Sequence, residues 1–568
     1  MNYFEEHSFS KNTSFGLVTY SNFCFKIDNK VVNNNRAINN DIVYYENDKI
    51  VGIKSRNMSN IAGILYLNKN TKYGFNSKNM PYYQFLPLNK KYPKFLVASS
   101  LKTKIKQYIV IKFLKWPIDS KYPYGKCEHV IGDTNICNNM YEILLYKYDL
   151  IYPRLKINKN IIEQHKNDNI SNIEYNVFTI DPDGCTDIDD ALSINKYDTY
   201  VEVGIHITNV SHYINDIYYL LYNLVSSIYA SHRQINMLPD IYANNICSLL
   251  ENTNRRCISV LLKFSHNYEL LNYNIKLTKV HIMKNFSYNE AENIIKTNNK
   301  QYKYLFELWE FMSTYNKQIT DTHILVEKLM ILANHKIAET LYNYDKQNTL
   351  LRIHHINEHL DNVNNNLDNA NNNLEDSDNF KKLKNFIKLK TFNSAVYKTN
   401  VIKPNHYGLK LNLYTHFTSP IRRLCDIITH INIKNYIQKK PLLELSENNI
   451  EHINNVNKRI KKLYYDYKIV DLIDKYKSQK MLYCTGYIIE FCSKYFIIYI
   501  SNYNIEYKIK YYSNKLDNLY VILKSDTHLE IKYESIVKKY NLYDNVNLEL
   551  YFIENMDKLE DKIKIKIL

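Results

Sequence analysis

A chain of 568 residues is too long to fold around one hydrophobic core, and several domains of about 100 to 200 residues each are expected. Its 45% hydrophobic content supports folded cores, and 74 Lys and Arg against 58 Asp and Glu leave a net charge of +16. That charge suits a polyanionic partner, and it suits equally a compositional drift toward Lys, Asn and Tyr. Nine scattered cysteines with no Cys-x-x-Cys pair speak against a zinc site or a disulfide framework. An acidic Met-Asn-Tyr-Phe-Glu-Glu start and the lack of any apolar run near roughly 18 residues speak against a signal peptide or a membrane span. The expectation is an intracellular protein, placed in the cytoplasm with nucleus and organelles left open, that does not engage membranes.

In chain order, short β-rich runs such as Asp41-Ile-Val-Tyr-Tyr45 and Tyr108-Ile-Val-Ile-Lys-Phe113, divided by polar turns, predict two small barrels over residues 1–78 and 79–160. Residues 161–480 read as a central α/β body. A strand is expected at Tyr200–His206, and helices are expected over Ile324–Tyr342 and Ile421–Ile437. An Asn- and Asp-rich stretch over residues 357–379 reads as a solvated insertion without chemistry. Residues 481–568 return to alternating strands, for example Lys494-Tyr-Phe-Ile-Ile-Tyr-Ile500, and predict a third small barrel. The fold class expected is multidomain α+β, with β-barrels flanking the central domain.

The most informative stretch is Thr179 to Leu192, where Asp181, Asp183, Asp187, Asp189 and Asp190 stand among apolar neighbours. Partly shielded carboxylates repel one another and take up protons unless hard cations neutralise them. A calcium loop of the EF-hand kind does not fit, because glycine falls at the fourth position and Leu192 stands where the bidentate Glu belongs. An acidic surface turn is the other ordinary reading, opposed by the flanking Phe178-Thr-Ile180 and Ala191-Leu-Ser-Ile194. In an extended stretch Asp187 and Asp189 share one side, and the Pro182-Asp-Gly184 turn can bring Asp181 back to them. This pattern suits a site for two Mg²⁺ ions, with Mn²⁺ as a substitute, that serve phosphodiester hydrolysis.

A second constellation is His416-Phe-Thr-Ser-Pro-Ile-Arg-Arg423, followed by apolar residues at helical spacing. Ser419 is expected to cap a helix beginning at Pro420, placing Arg422 and Arg423 in its first turn, where an anion would offset their conflict with the helix dipole. An ordinary capped helix with exposed arginines is the alternative. Tyr229 and Tyr288 could stack on bases, but among 54 tyrosines spacing does not select them.

Taken in order, Asp181 to Ala191, His206-Ile-Thr-Asn-Val-Ser-His-Tyr213, Met237-Leu-Pro239, Cys247-Ser-Leu249, Val326-Glu-Lys-Leu-Met-Ile-Leu-Ala-Asn334 and His406-Tyr-Gly-Leu409 through Arg423 resemble the catalytic domain of the RNase II and RNase R exoribonuclease family. Asn35 to Asp41 and Trp116-Pro with Tyr122-Pro-Tyr-Gly125 resemble the paired cold-shock barrels of the eukaryotic exosome-type members, and the C-terminal strands resemble the family's RNA-binding OB barrel. The resemblance implies that Asp181, Asp187, Asp189 and Asp190 hold metal, with Asp189, Asp190 and Arg422 catalytic. It also implies that Tyr229 stacks the terminal base, Tyr288 supports RNA deeper in a channel and Glu327 lies near the 3′ nucleotide, while Arg255 and Arg423 touch the RNA backbone. Asp183 matches no family position.

The resemblance thus implies a Mg²⁺-dependent, processive 3′-to-5′ exoribonuclease that acts on single-stranded RNA, releases nucleoside 5′-monophosphates and works as a monomer. Asn209, Lys328, Leu424 and Ile431 depart from the family pattern and keep open a decayed, RNA-binding form of the fold. Because the sequence starts almost directly at the first barrel, without the endonuclease domain of the exosome subunit, stable docking to an exosome is not expected.

Overall fold

The computed structural model describes residues 14–21, 24–27, 30–31, 36–47, 49–68, 72–151, 171–354, 378–391, 394–479, 481–510, 519–524, 528–533, 536–554 and 556–568. At the N-terminal end, β1 (Ser14–Leu17), β5 (Ile42–Glu46) and β6 (Lys49–Ser55) form one three-stranded sheet, and β2 (Thr19–Ser21), β3 (Cys24–Ile27) and β4 (Lys30–Val31) form another. Their shared core is small, with Val18, Ile27, Ala37, Val43, Ile50 and Ile53. The first predicted barrel therefore takes the form of two sheets among the described residues.

The second does close, and it starts ahead of residue 79, because Ile61–Leu65 supplies its first strand. Strands β7 (Ile61–Leu65), β8 (Tyr82–Pro87), β9 (Phe95–Ala98), β10 (Gln107–Lys115) and β11 (Tyr124–Asp133) form a barrel whose interior is packed with Phe85, Phe95, Val97, Ile109 and Ile111. Helix α1 (Cys137–Lys147) leaves this barrel and buries Met140, Tyr141, Ile143, Leu144 and Leu145, a spacing that presents one apolar face inward.

The central barrel joins β12 (Ser171–Asp181), β13 (Asp190–Lys196), β14 (Val201–Thr208), β17 (Thr253–Phe264) and β18 (Leu270–Ser287), with β12 and β18 parallel and the other described pairings antiparallel. The short hairpin β15 (Ile228–Ala230) and β16 (Arg233–Ile235) rises between β14 and β17 in sequence. All eight residues of β14 are buried, because one face meets helices and the other fills the barrel. Inside, His206 bonds Ser193 and Ser259 at 2.9 and 2.7 Å, and burial holds its imidazole neutral, with its pKa pushed down to about 3. A Cβ on Gly204 would sit 2.3 Å from the Ser193 hydroxyl, so this close packing requires glycine.

Helices α2 (Tyr288–Thr297), α3 (Lys303–Tyr315) and α4 (Thr322–Tyr344) cover the barrel through Leu305, Leu308, Leu325, Leu329 and Ala333. The short pair β19 (Leu351–Ile353) and β20 (Val396–Lys398) follows. Helix α5 (Asp378–Thr391) lays Phe380, Leu383 and Ile387 on Tyr487, Tyr499 and Tyr543 of the C-terminal region. The Asn- and Asp-rich stretch lies outside the described residues except for its last two positions, which open α5.

Helix α6 (Leu424–Ile437) is buried along residues 424–433, and α7 (Glu447–Tyr476) runs 30 residues against α1. The predicted helix start is corrected here: Arg423, with φ −138° and ψ 126°, is the residue before α6, and residues 419–423 form a separate turn. The Ser419 N–H is drawn to Asp426 Oδ1 at 2.7 Å and its hydroxyl accepts from Arg422 Nη2 at 3.0 Å, so Ser419 does not cap a helix at Pro420.

The C-terminal region has a five-stranded sheet of β21 (Met481–Phe491), β22 (Tyr495–Ile500), β23 (Ile505–Lys510), β27 (Asn545–Phe552) and β28 (Ile563–Ile567). A three-stranded sheet of β24 (Leu519–Lys524), β25 (His528–Tyr533) and β26 (Ile536–Asn541) lies between β23 and β27 in sequence, so the third predicted barrel also takes the form of two sheets among the described residues. The second barrel and this region are fastened directly: Lys106 Nζ lies 2.7 Å from Asp557 Oδ1, and buried Lys562 donates to the Thr134 carbonyl at 3.4 Å. No helix among the described residues is long and apolar enough to cross a membrane.

Candidate active site

The carboxylates gather at one end of the central barrel because two strands end and begin there. Asp181 closes β12 and Asp190 opens β13. Between them the Cys185 N–H reaches the Pro182 carbonyl at 3.1 Å, and Gly184, at φ +76°, supplies the left-handed conformation that this turn needs. The loop is then pinned from below: Ile188 is buried, and its N–H donates to Ser248 Oγ at 3.1 Å.

Each carboxylate has its own surroundings. Asp189 is 5% exposed; its Oδ1 accepts the Ile421 N–H at 2.8 Å and its Oδ2 lies 3.7 Å from Arg422 Nε. Burial pushes the Asp189 carboxyl well up, opposed by Arg422 and the Ile421 amide. Asp187 Oδ2 accepts from Tyr229 Oη at 2.6 Å and from Gln234 Nε2 at 3.2 Å. Burial and repulsion from Asp187 raise Asp181 to about 6, against a hydrogen bond from Thr179. Burial and repulsion from Asp181 raise Asp190 to about 8, against the pull of Arg422 and Arg423. Asp181 Oδ2 is buried without a hydrogen-bond partner. Asp183 is exposed and accepts only a 3.3 Å bond from Asn289, apart from the group.

Among the described residues, no three His, Cys, Asp or Glu side chains already stand as a ligand set. Asp187 is turned to Tyr229 and Gln234, and Asp189 to Ile421 and Arg422. In kind the four carboxylates fit a divalent ion, being anionic oxygen donors that repel one another around an orphaned oxygen.

The two paired arginines separate. The Arg422 side chain is 43% exposed and faces Asp189, whereas Arg423 turns inward and donates from Nη2 to Asp426 Oδ1 at 2.8 Å. Around Arg423 stand Tyr414, the Tyr397–His416 hydrogen bond and Arg352, whose guanidinium lies 4.4 Å over the Tyr397 ring. Arg255 spends its donors on the carbonyls of Ser248, Asn245 and Asn254, bracing the loop under the cluster.

Tyr229 is 41% exposed, directly beside Asp187. Tyr288 stacks on His323, with ring centroids 3.7 Å apart and planes 9° from parallel, and senses the charges of Asp190 and Asp181. Glu327 is exposed one turn beyond His323 on α4. Asn209 accepts from Ser211 at 2.9 Å, and Leu424 and Ile431 are buried in the core.

Sequence reasoning missed Gln234, His323, Tyr464 and Asp426. Of these, only Asp426, an acidic residue three positions after Arg423, left a readable signal.

Comparison with known proteins falls on these same elements. The RNB domain model matches residues 170–306 and 302–439, and the Dis3-like cold-shock domain 2 (CSD2) model matches residues 82–149. The chain carries an RNB domain. It is 25% identical to the exosome complex exonuclease RRP44 of Mus musculus in an alignment 454 positions long that covers 67% of this chain and 46% of that protein. It is 27% identical to ribonuclease R of Chlamydia pneumoniae over 315 residues, covering 44% and 45%. The chain spans about half the length of these curated relatives.

Two solved structures share its fold. Mycoplasma genitalium RNase R in complex with ribose methylated single-stranded RNA superposes with a TM-score of 0.74 at 17% identity, over 98% of this chain and 100% of that one. Yeast Ssd1, a pseudonuclease, superposes with 0.64 at 14%, over 98% and 97%. The expected fold class, a central RNB domain with barrels of the OB type, therefore stands.

Proposed function

We propose that this RNB protein is a Mg²⁺-dependent, processive 3′-to-5′ exoribonuclease that releases nucleoside 5′-monophosphates from single-stranded RNA. The observation that carries this reading is the crowding of Asp181, Asp187, Asp189 and Asp190, with one buried oxygen unpartnered and Arg422 3.7 Å from Asp189. These four aspartates would hold the metal. When bound, divalent cations would activate water and stabilise the leaving oxygen of a phosphodiester.

The remaining work belongs to the chain's own side chains. The exposed Arg422 guanidinium, steadied by Ser419 Oγ, is placed to offset charge on the phosphate. Tyr229 offers an open ring face for the terminal base, and the stacked Tyr288 and His323 a second one nearby. With net charge +16, the chain attracts the RNA backbone in a salt-sensitive manner, and stacking with phosphate contact gives little sequence preference. The RNA-bound RNase R of like fold and the RRP44 and ribonuclease R relatives support this reading.

A second reading, an RNA-binding protein with a silent RNB domain, is favoured by the departures at Asn209, Lys328, Leu424 and Ile431 and by the likeness to pseudonuclease Ssd1. End-labelled RNA incubated with Mg²⁺ separates the two. Stepwise shortening by the parent and none by Asp189→Asn supports the nuclease, whereas RNA bound but left whole by both supports the silent domain. A circular RNA should stay uncut.

A further inference from the structure

The hairpin that carries Tyr229 is held at both ends. At its base, the cross-strand partners Tyr229 and Gln234 both donate to Asp187 Oδ2. At its tip, Arg233 donates from Nε and Nη2 to the two oxygens of Glu142 at 2.7 and 2.8 Å, and His232 Nε2 lies 3.0 Å from Glu142 Oε1. The His232 ring also lies flat on Tyr141, with centroids 4.6 Å apart and planes 14° from parallel. Ser231 Oγ donates to Asp471 Oδ1 at 2.6 Å, an oxygen that Tyr141 Oη also reaches, and the Tyr229 N–H donates to Tyr464 Oη at 3.0 Å.

Glu142 and Tyr141 belong to α1, the helix that leaves the second barrel, while Asp471 and Tyr464 belong to α7, which leads into the C-terminal sheets. The hairpin thus joins the carboxylate cluster to elements from both flanking regions.

A partly exposed ion pair ordinarily contributes little to stability. This one is bidentate, it is reinforced by a stacked imidazole, and three donors converge on one carboxylate, a geometry that fixes direction more than it adds energy. Burial would raise the Glu142 carboxyl, yet the bonds from Arg233 and His232 hold it below the usual range.

We propose that Glu142 is a positioning residue: by gripping Arg233 and His232 it sets the pose of the hairpin, so that Tyr229 stands against Asp187 where the terminal base of the RNA would stack. The second half of this statement rests on the exoribonuclease reading.

Hydrogen–deuterium exchange on the full, metal-free chain tests the grip without RNA. In Glu142→Ala and Arg233→Ala, amides of residues 228–235 are expected to exchange about tenfold faster or more, at an unchanged melting temperature. The double variant should be no looser than either single, and Glu142→Gln, which keeps an acceptor oxygen for Arg233, should recover part of the protection. Glu142→Ala should also weaken RNA binding about tenfold through the displaced tyrosine, read by fluorescence titration. Hairpin exchange that matches the parent overturns the proposal, as does faster exchange spread over the whole chain with a lower melting temperature. A loosened hairpin in a chain whose parent form leaves RNA whole sinks the nuclease reading and upholds the grip of Glu142 on Tyr229.

Discussion

Two polar clusters flank the turn at residues 419–423, and they balance charge in opposite ways. On one side Asp181, Asp187, Asp189 and Asp190 crowd together with Arg422 as their nearest cation, so like charges repel and protons are retained. On the other, Arg423 meets Asp426 at 2.8 Å, enclosed by Tyr397, Tyr414 and His416, so the charges cancel within the fold. Adjacent arginines therefore serve different ends. A cluster with an internal counter-charge holds structure together, and one short of positive charge is suited to receive it from outside.

The strongest way to break this contrast is Asp189→Asn, which is expected to reduce Mg²⁺-dependent shortening of end-labelled RNA below detection while a thermal melt remains cooperative. The amide can still accept the Ile421 N–H, so the fold is spared. Next come the arginines as a pair. Arg422→Ala should lower kcat about 10²- to 10³-fold at little cost in stability. Arg423→Ala should cost about 3 to 5 kcal/mol in urea titration, since it leaves Asp426 buried without its counter-charge.

A smaller effect separates the clusters by pH. Asp181 and Asp190, raised to about 6 and about 8, keep protons that the unfolded chain has already released. Between about pH 4 and about pH 8 the folded chain then binds more protons, so the contribution of these groups to stability falls as pH rises. In chelator, the melting temperature should drop more from pH 5.5 to pH 8.5 in the parent than in Asp190→Asn, and Mg²⁺ should abolish that difference. The smallest effect is at Tyr229: Tyr229→Phe keeps the ring and should change KM about threefold or less, while Tyr229→Ala should weaken RNA binding by about 1 to 3 kcal/mol, read by fluorescence titration.

Much of this was legible in the residues. Short β-rich runs announced β5, β10 and β22, and the stretch from Ile324 to Tyr342 announced α4, which runs from Thr322 to Tyr344. The crowding of aspartates on either side of Gly184 was visible because it is local. What could not be read depended on partners far away in the chain. Ile421 gives its N–H to Asp189, 232 positions earlier, and Ser419 gives its own to Asp426, so the helix opens at Leu424 instead of Pro420. Arg423 turns inward because Tyr397, Tyr414 and Asp426 converge on it, and no spacing rule links those three. The grip of Glu142 on the Tyr229 hairpin spans about 90 residues and left no local trace.

The bridge from Lys106 to Asp557 joins positions 451 apart, and Lys562 reaches back 428 to Thr134. Contacts of such separation form late, since nearly the whole polypeptide must be made and collapsed before its two sides can meet. During translation the second barrel would therefore wait, folded but unlatched, until Asp557 clears the ribosome. A chain released before that point would keep every aspartate of the cluster and still lack the clasp between its flanking modules.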